Sequence, residues 1–199
     1  MARLNLTLIF FLLVTTQSAL AVVTKTFTPT SGYTMLSINS ERHKPQSQGA
    51  AVFGLQLEAS MGTRWQMQLA TISSFDETFS GTKLGATYQF GSRFYEVGAP
   101  TLGGYGQSTR VFPKWRSHVS AALGRWRYNG RLRSTSTQIV KLQSVPVKAD
   151  VYGFSFGYHL YRLISEDFYL SGELNSTQGL APGFNLSAYS ALFGLAWWL

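Results

Sequence analysis

Val151-Tyr152-Gly153-Phe154-Ser155-Phe156-Gly157-Tyr158-His159-Leu160 alternates without a break: Tyr152, Phe154, Phe156, Tyr158 and Leu160 take every second position, against Gly153, Ser155, Gly157 and His159. Side chains on an extended strand point alternately to its two faces, so the stretch has one large apolar face and one small or polar face. The period recurs elsewhere. Phe53, Leu55 and Leu57 alternate with Gly54, Gln56 and Glu58, and Leu84, Ala86, Tyr88 and Phe90 with Lys83, Gly85, Thr87 and Gln89. Read back from the C-terminus, it predicts eight strands: about Asn185 to Leu199, Asp167 to Ser176, Ala149 to Leu163, Arg116 to Gly130, Thr82 to Tyr95, Arg64 to Phe75, Gly49 to Ser60 and Ser31 to Ser40. Val119, Ala121 and Leu123 are out of phase with Trp126 and Tyr128, which predicts a bulge near Gly124.

Side-chain size decides which way the faces turn. A soluble barrel must hydrate its outside, usually with Lys and Glu, whereas here the face opposite the apolar one offers Gly54, Gly85, Thr87, Gly153, Ser155 and Gly157. Those residues suit the crowded lumen of an eight-stranded barrel, and leave Leu55, Leu57, Phe154 and Phe156 to meet acyl chains. The expected fold class is therefore an all-β, eight-stranded, antiparallel up-and-down transmembrane β-barrel. Strands of 10 to 12 residues at ~3.3 Å each, tilted ~40°, cover roughly 25–30 Å, the apolar band of such barrels. Trp65, Phe90, Trp115, Phe168 and Trp197 fall at one set of strand ends and Trp126 and Tyr128 near the other, as two interfacial girdles would. Met61-Gly62-Thr63 and Ile164-Ser165-Glu166 read as tight inner turns, and Glu41 to Gln48, Asp76 to Gly81, Arg131 to Lys148 and Thr177 to Phe184 as longer outer loops. The long connection Glu96 to Trp115 breaks that rule, and either extends its flanking strands or hides another.

Composition narrows the classes further. The 199 residues are 45% hydrophobic but only 13% charged, about half the ~25% usual in soluble domains. No cysteine is present, which excludes disulfide scaffolds and thiolate metal sites. The net charge is +8, but the 17 Lys and Arg residues are spread along the chain and form no dense stripe, so nucleic acid is not an expected partner. Residues 1–21 read as an export signal, with Arg3 in the n-region, an apolar run from Leu4 to Val14, and Ala19-Leu20-Ala21 at the cleavage site. The barrel domain would then occupy 22–199, reaching the bacterial outer membrane through the periplasm.

With the signal segment, the final strand resembles those of small bacterial outer-membrane barrels of the OmpA/OmpX type: Tyr189, Ala191, Phe193, Leu195, Trp197 and Leu199 hold every second position to the last residue. The family usually ends in Phe, and Leu199 departs from it. The resemblance implies recognition by the outer-membrane barrel assembly machinery, and a monomer in contact with outer-membrane lipid and lipopolysaccharide. Ser176-Thr177-Gln178-Gly179-Leu180, Pro182 and Tyr189-Ser190 also faintly resemble the end of lipid A 3-O-deacylases. The serine would be Ser176, but the family's histidine is Leu174 here and its glutamate Ser187, so the serine lacks a base.

Other chemistry is sparse. Gly153-Phe154-Ser155-Phe156-Gly157 matches G-x-S-x-G, yet a nucleophile elbow needs a strand-to-helix turn and this one lies mid-strand. Pairing about Ser165 places His159 near Ser171 with Glu173 one inward position further on, and Glu58, Lys83, Arg125 and Arg127 are also expected to face inward. Buried charges are expensive unless paired, so this set reads as a lumen polar network rather than a catalytic site. Arg42, Lys44, Arg131, Arg133, Lys141 and Lys148 fall in the expected outer loops, either opposite lipopolysaccharide phosphates or as solvated charges with no fixed partner. No P-loop, His-Glu-x-x-His or calcium loop occurs, and no cofactor is expected. The expected function is a non-enzymatic barrel displaying loops, in envelope integrity, adhesion or lipopolysaccharide contact. The alternatives are a lipid A-modifying hydrolase and a secreted soluble barrel around an apolar ligand.

Overall fold

A computed structural model describes residues 25–41, 43–60, 64–91, 95–98, 108–111, 113–133, 144–165 and 167–198. Its elements are β1 (Lys25–Ser40), β2 (His43–Ser60), β3 (Trp65–Ser74), β4 (Phe79–Phe90), β5 (Tyr95–Gly98), β6 (Ser108–Val111), β7 (Trp115–Arg133), β8 (Ser144–Ser165), β9 (Phe168–Ala181) and β10 (Phe184–Trp198). Eight close into a ring in the order β1-β10-β9-β8-β7-β4-β3-β2, every neighbour antiparallel. All eight predicted strands are present. The long connection hides two short strands, β5 and β6, which pair with each other as a separate two-stranded sheet outside the ring. The signal segment, the 61–63 turn and Leu199 lie outside the described residues.

Two of the polar stretches expected as long loops, 41–48 and 177–184, are mostly strand among the described residues. β2 begins at His43, β9 runs to Ala181 and β10 starts at Phe184. Polar composition marks where a strand leaves an apolar slab, not where its backbone stops pairing, because continuing the ladder satisfies each N–H and C=O. β7 and β8 overreach their neighbours. The last β7 residue paired with β4 is Tyr128 and the last β8 residue paired with β9 is Tyr152, while the two strands stay paired with each other to Arg133↔Ser144. Leu132, beyond that limit, is still fully buried with Leu36, Ile38 and Phe184, so the free ribbon leans over the barrel mouth.

Transverse rows of the outer wall show the solvent each height was built for. From the end where β1 begins and β10 finishes, Trp65–Tyr88–Val119–Tyr158, Met67–Ala86–Ala121–Phe156 and Leu69–Leu84–Leu123–Phe154 are successive facing rows across β3, β4, β7 and β8. Large apolar groups there are exposed, including Trp65, Leu84, Leu123 and Phe156. The inner face carries Gln56, Glu58, Gln68, Thr87, His118, His159 and Glu173, all buried. This is the inverse of a water-soluble barrel and the arrangement of a transmembrane one. No helix of the described residues is long and apolar enough to cross a membrane.

One expectation about phase fails. No bulge occurs at Gly124: β7 keeps one register against β4 and β8, with even positions inward from Arg116 to Leu132. Trp126 and Tyr128, expected in an outer girdle, are therefore inside, 2% and 0% exposed. Glycines make the room. A Cβ on Gly81 would lie 2.2 Å from the Trp126 ring, and one on Gly124 2.9 Å from it, so the indole lies on a bed of bare backbone.

Candidate functional site

The lumen is filled in layers. Toward the hairpin end Leu36, Ile38, Phe79, Trp126, Tyr128, Leu132, Val151 and Leu186 form a continuous apolar cluster. Toward the terminal end Tyr161, Tyr169 and Ala196 form a smaller one, with the Arg116 guanidinium 4.7 Å from the centre of the Tyr169 ring. Between them lies the polar layer. Lys83 Nζ donates to Glu173 Oε1 and Asn175 Oδ1, both at 3.1 Å, and Asn175 Nδ2 donates to the same carboxylate. Glu58 accepts from Gln56 Nε2 at 2.9 Å and from the hydroxyls of Thr87 and Tyr161 at 3.4 Å.

Five of the seven residues expected to face the lumen do so, and two do not. Glu58, Lys83, His159, Ser171 and Glu173 face inward, whereas Arg125 and Arg127 stand on the outer wall and pair with Asp150. The unbroken phase of β7 is the cause, since odd positions there point outward. His159 directly faces Glu173, and Ser171 faces Tyr161, because β8 continues to Ser165 and the turn comes later than expected. The partner of His159 is a serine the sequence reading missed: Ser120 Oγ lies 2.9 Å from His159 Nε2, while Nδ1 is 3.7 Å from Glu173 Oε2. Two-residue alternation along β7 marks Ser120 as inward, but which serine meets the histidine depends on the β7–β8 register.

Serine, histidine and carboxylate in this order have the outline of a hydrolytic triad. Its surroundings do not serve that chemistry. All three are buried, a cavity of only about 30 Å³ lies beside Lys83, Glu173 and Asn175, and Trp126 and Phe79 line that cavity toward the hairpin end. That volume accommodates little more than one water. Ser176 is on the opposite surface, in an apolar groove with Tyr33, Phe156, Leu174 and Tyr189. Leu174 on that face cannot take a proton, and Ser187 donates to Gln178 at 2.8 Å.

Of the residues expected at the outer loops, Arg131 and Lys148 are exposed on the protruding ribbon, and Lys44 and Arg133 lie within β2 and β7. Arg42 and Lys141 fall outside the described residues. Above the last apolar row β3, β4 and β7 turn polar: Thr71–Thr82–Arg125 is followed by Ser73–Ser80–Arg127, with Tyr152 and Asp150 facing them on β8 and exposed Leu55 and Phe53 on β2.

No protein-family model and no curated protein matches the chain. Solved structures similar to it include the N-terminal β-barrel domain of Pseudomonas aeruginosa OprF, at 16% identity over 84% of this chain and 96% of that one, with a TM-score of 0.43. Neisserial surface protein A is 9% identical over 86% and 96% of the two chains, with a TM-score of 0.48. The outer membrane protein OprG of Pseudomonas aeruginosa is 7% identical over 87% and 95%, with a TM-score of 0.46. The likeness is one of barrel architecture, and at these identities no residue role transfers.

Proposed function

We propose that the chain is a non-catalytic integral barrel of the bacterial outer membrane, a rigid wall that presents its β7–β8 ribbon and neighbouring hairpins at the cell surface and touches lipopolysaccharide there. The observation that carries this reading is the lumen: it is packed from end to end by two apolar clusters and a hydrogen-bonded polar layer, which leaves surface display rather than passage or turnover. The exposed apolar rows suit a wall in hydrocarbon, and Arg131 and Lys148 on the ribbon offer cations above it. Export through the periplasm and closure by the assembly machinery belong to the same proposal, as do envelope integrity and adhesion as the roles such a display would serve.

Fractionation of expressing cells tests it. The chain is expected in the outer-membrane fraction, with a heat-dependent gel shift, and mass spectrometry of lipid A should show the same acyl pattern with and without it. Recovery in the soluble fraction would overturn the membrane assignment. Loss of an acyl chain from lipid A would overturn the non-catalytic part and return attention to Ser176.

A further inference from the structure

The boundary on the outer wall coincides with a groove of about 330 Å³ that crosses β3, β4, β7 and β8. Arg125, Arg127 and Asp150 rim it, and Thr71, Ser80 and Thr82 offer hydroxyls along it. Two measures place it at headgroup height. Immediately below are Leu84, Leu123 and Phe154, all exposed. From Arg125 down β7 to Trp115, ten residues at ~3.3 Å and a ~40° tilt span about 25 Å, the depth of the apolar band. A cation on an aromatic ring sits at each limit: Arg162 lies 5.4 Å from the Trp115 ring centre, and Arg125 lies 5.8 Å from that of Tyr152.

The charges are arranged to accept an anion. Asp150 takes one bond from each arginine, from Arg125 Nη2 at 3.1 Å and Arg127 Nε at 3.1 Å, and so turns both guanidiniums toward one place. Two cations against one carboxylate leave a net positive charge, and each guanidinium keeps most of its five N–H donors. Beside them stand neutral hydroxyls, which match the hydroxyls of a sugar better than the ester backbone of a glycerophospholipid.

We propose that this groove binds the phosphorylated sugar headgroup of a lipid in the leaflet at the hairpin end, with Arg125 and Arg127 on the phosphate and Thr71, Ser80 and Thr82 on the sugar. The proposal deepens the surface-barrel reading and rests on it. It differs from the loop contacts expected from sequence, because Arg125 and Arg127 were expected inside.

The test uses the full-length chain refolded into phosphatidylcholine vesicles, with folding checked by the heat-dependent gel shift. Retention of diphosphoryl lipid A, of the same lipid after phosphatase treatment, and of phosphatidylglycerol is measured by native mass spectrometry. Diphosphoryl lipid A should be held roughly tenfold or more tightly than either comparison lipid, and Arg125→Gln/Arg127→Gln should remove that preference. Arg64→Gln/Arg162→Gln, equal in charge but at the opposite end, should keep it. Equal retention of the dephosphorylated lipid, equal retention of phosphatidylglycerol, or an unchanged preference in the Arg125/Arg127 variant overturns the groove alone. Failure of the wild-type chain to enter vesicles overturns the surface-barrel reading as well.

Discussion

At the scale of single residues, the costliest choice in the lumen is the Lys83–Glu173 pair. Both side chains are nearly buried, at 12% and 5% exposure, so removing one partner strands a charge. Lys83→Met should cost about 3–5 kcal/mol, whereas Lys83→Met/Glu173→Leu should cost distinctly less, since no charge is then left alone. Urea unfolding in lipid vesicles measures both, and equal losses would show that the pair acts through packing instead. A second residue effect lies in the β3–β4 turn. Hydrogen bonds from the Ser74 hydroxyl, and from the hydroxyl and backbone N–H of Thr78 at 2.8 and 3.2 Å, hold the Asp76 carboxyl below its ordinary 3.8. A folded value below the unfolded one means the stabilisation is complete well above 3.8 and disappears as the pH falls through the folded value. Asp76→Asn should therefore be less stable than the wild type at neutral pH, by under about 1 kcal/mol for so exposed a turn, with the gap closing in acid. Urea midpoints of both chains across the acid range check the sign.

At the scale of the strand, β7 shows what alternation can and cannot reveal. Which residues share a face is written in the sequence, and Tyr152, Phe154, Phe156 and Tyr158 on β8 are outside as their spacing requires. Which face of β7 turns outward at its far end is not, because Trp126 and Tyr128 are as apolar as any lipid-facing residue. What admits them is Gly81 on β4 and Gly124 on β7, a fit between strands that no single stretch displays. The same limit hid Ser120 as the partner of His159, and misplaced Arg125 and Arg127. Gly81→Val should displace the indole and destabilise the barrel by about 1–3 kcal/mol, as overpacking generally does. The near-ultraviolet dichroism of Trp126 should change with it, while Gly91→Ala, where a Cβ meets nothing within 4 Å but φ is +78°, should disturb only its own turn.

For the whole molecule, the layered lumen predicts electrical silence. Planar bilayers holding the chain should show no steps of ion conductance, because Phe79, Trp126 and Leu132 close the hairpin end and Tyr161 and Tyr169 the other. Brominated lipids should quench Trp65 and Trp115, which are 53% and 55% exposed, and spare Trp126 at 2%. Single-tryptophan variants resolve the three, and quenching of Trp126 would put the wall inside out. The ring also imposes a condition on its own making. β1 finds β10 as its partner along almost its whole length, from Thr26↔Trp198 to Ser40↔Phe184, although the two stand at opposite ends of the sequence. Until that seam zips, a nascent sheet has two raw margins in a medium that offers their amides no water, so insertion is all or nothing: a chain cut short before β10 has no intermediate shape in which to wait.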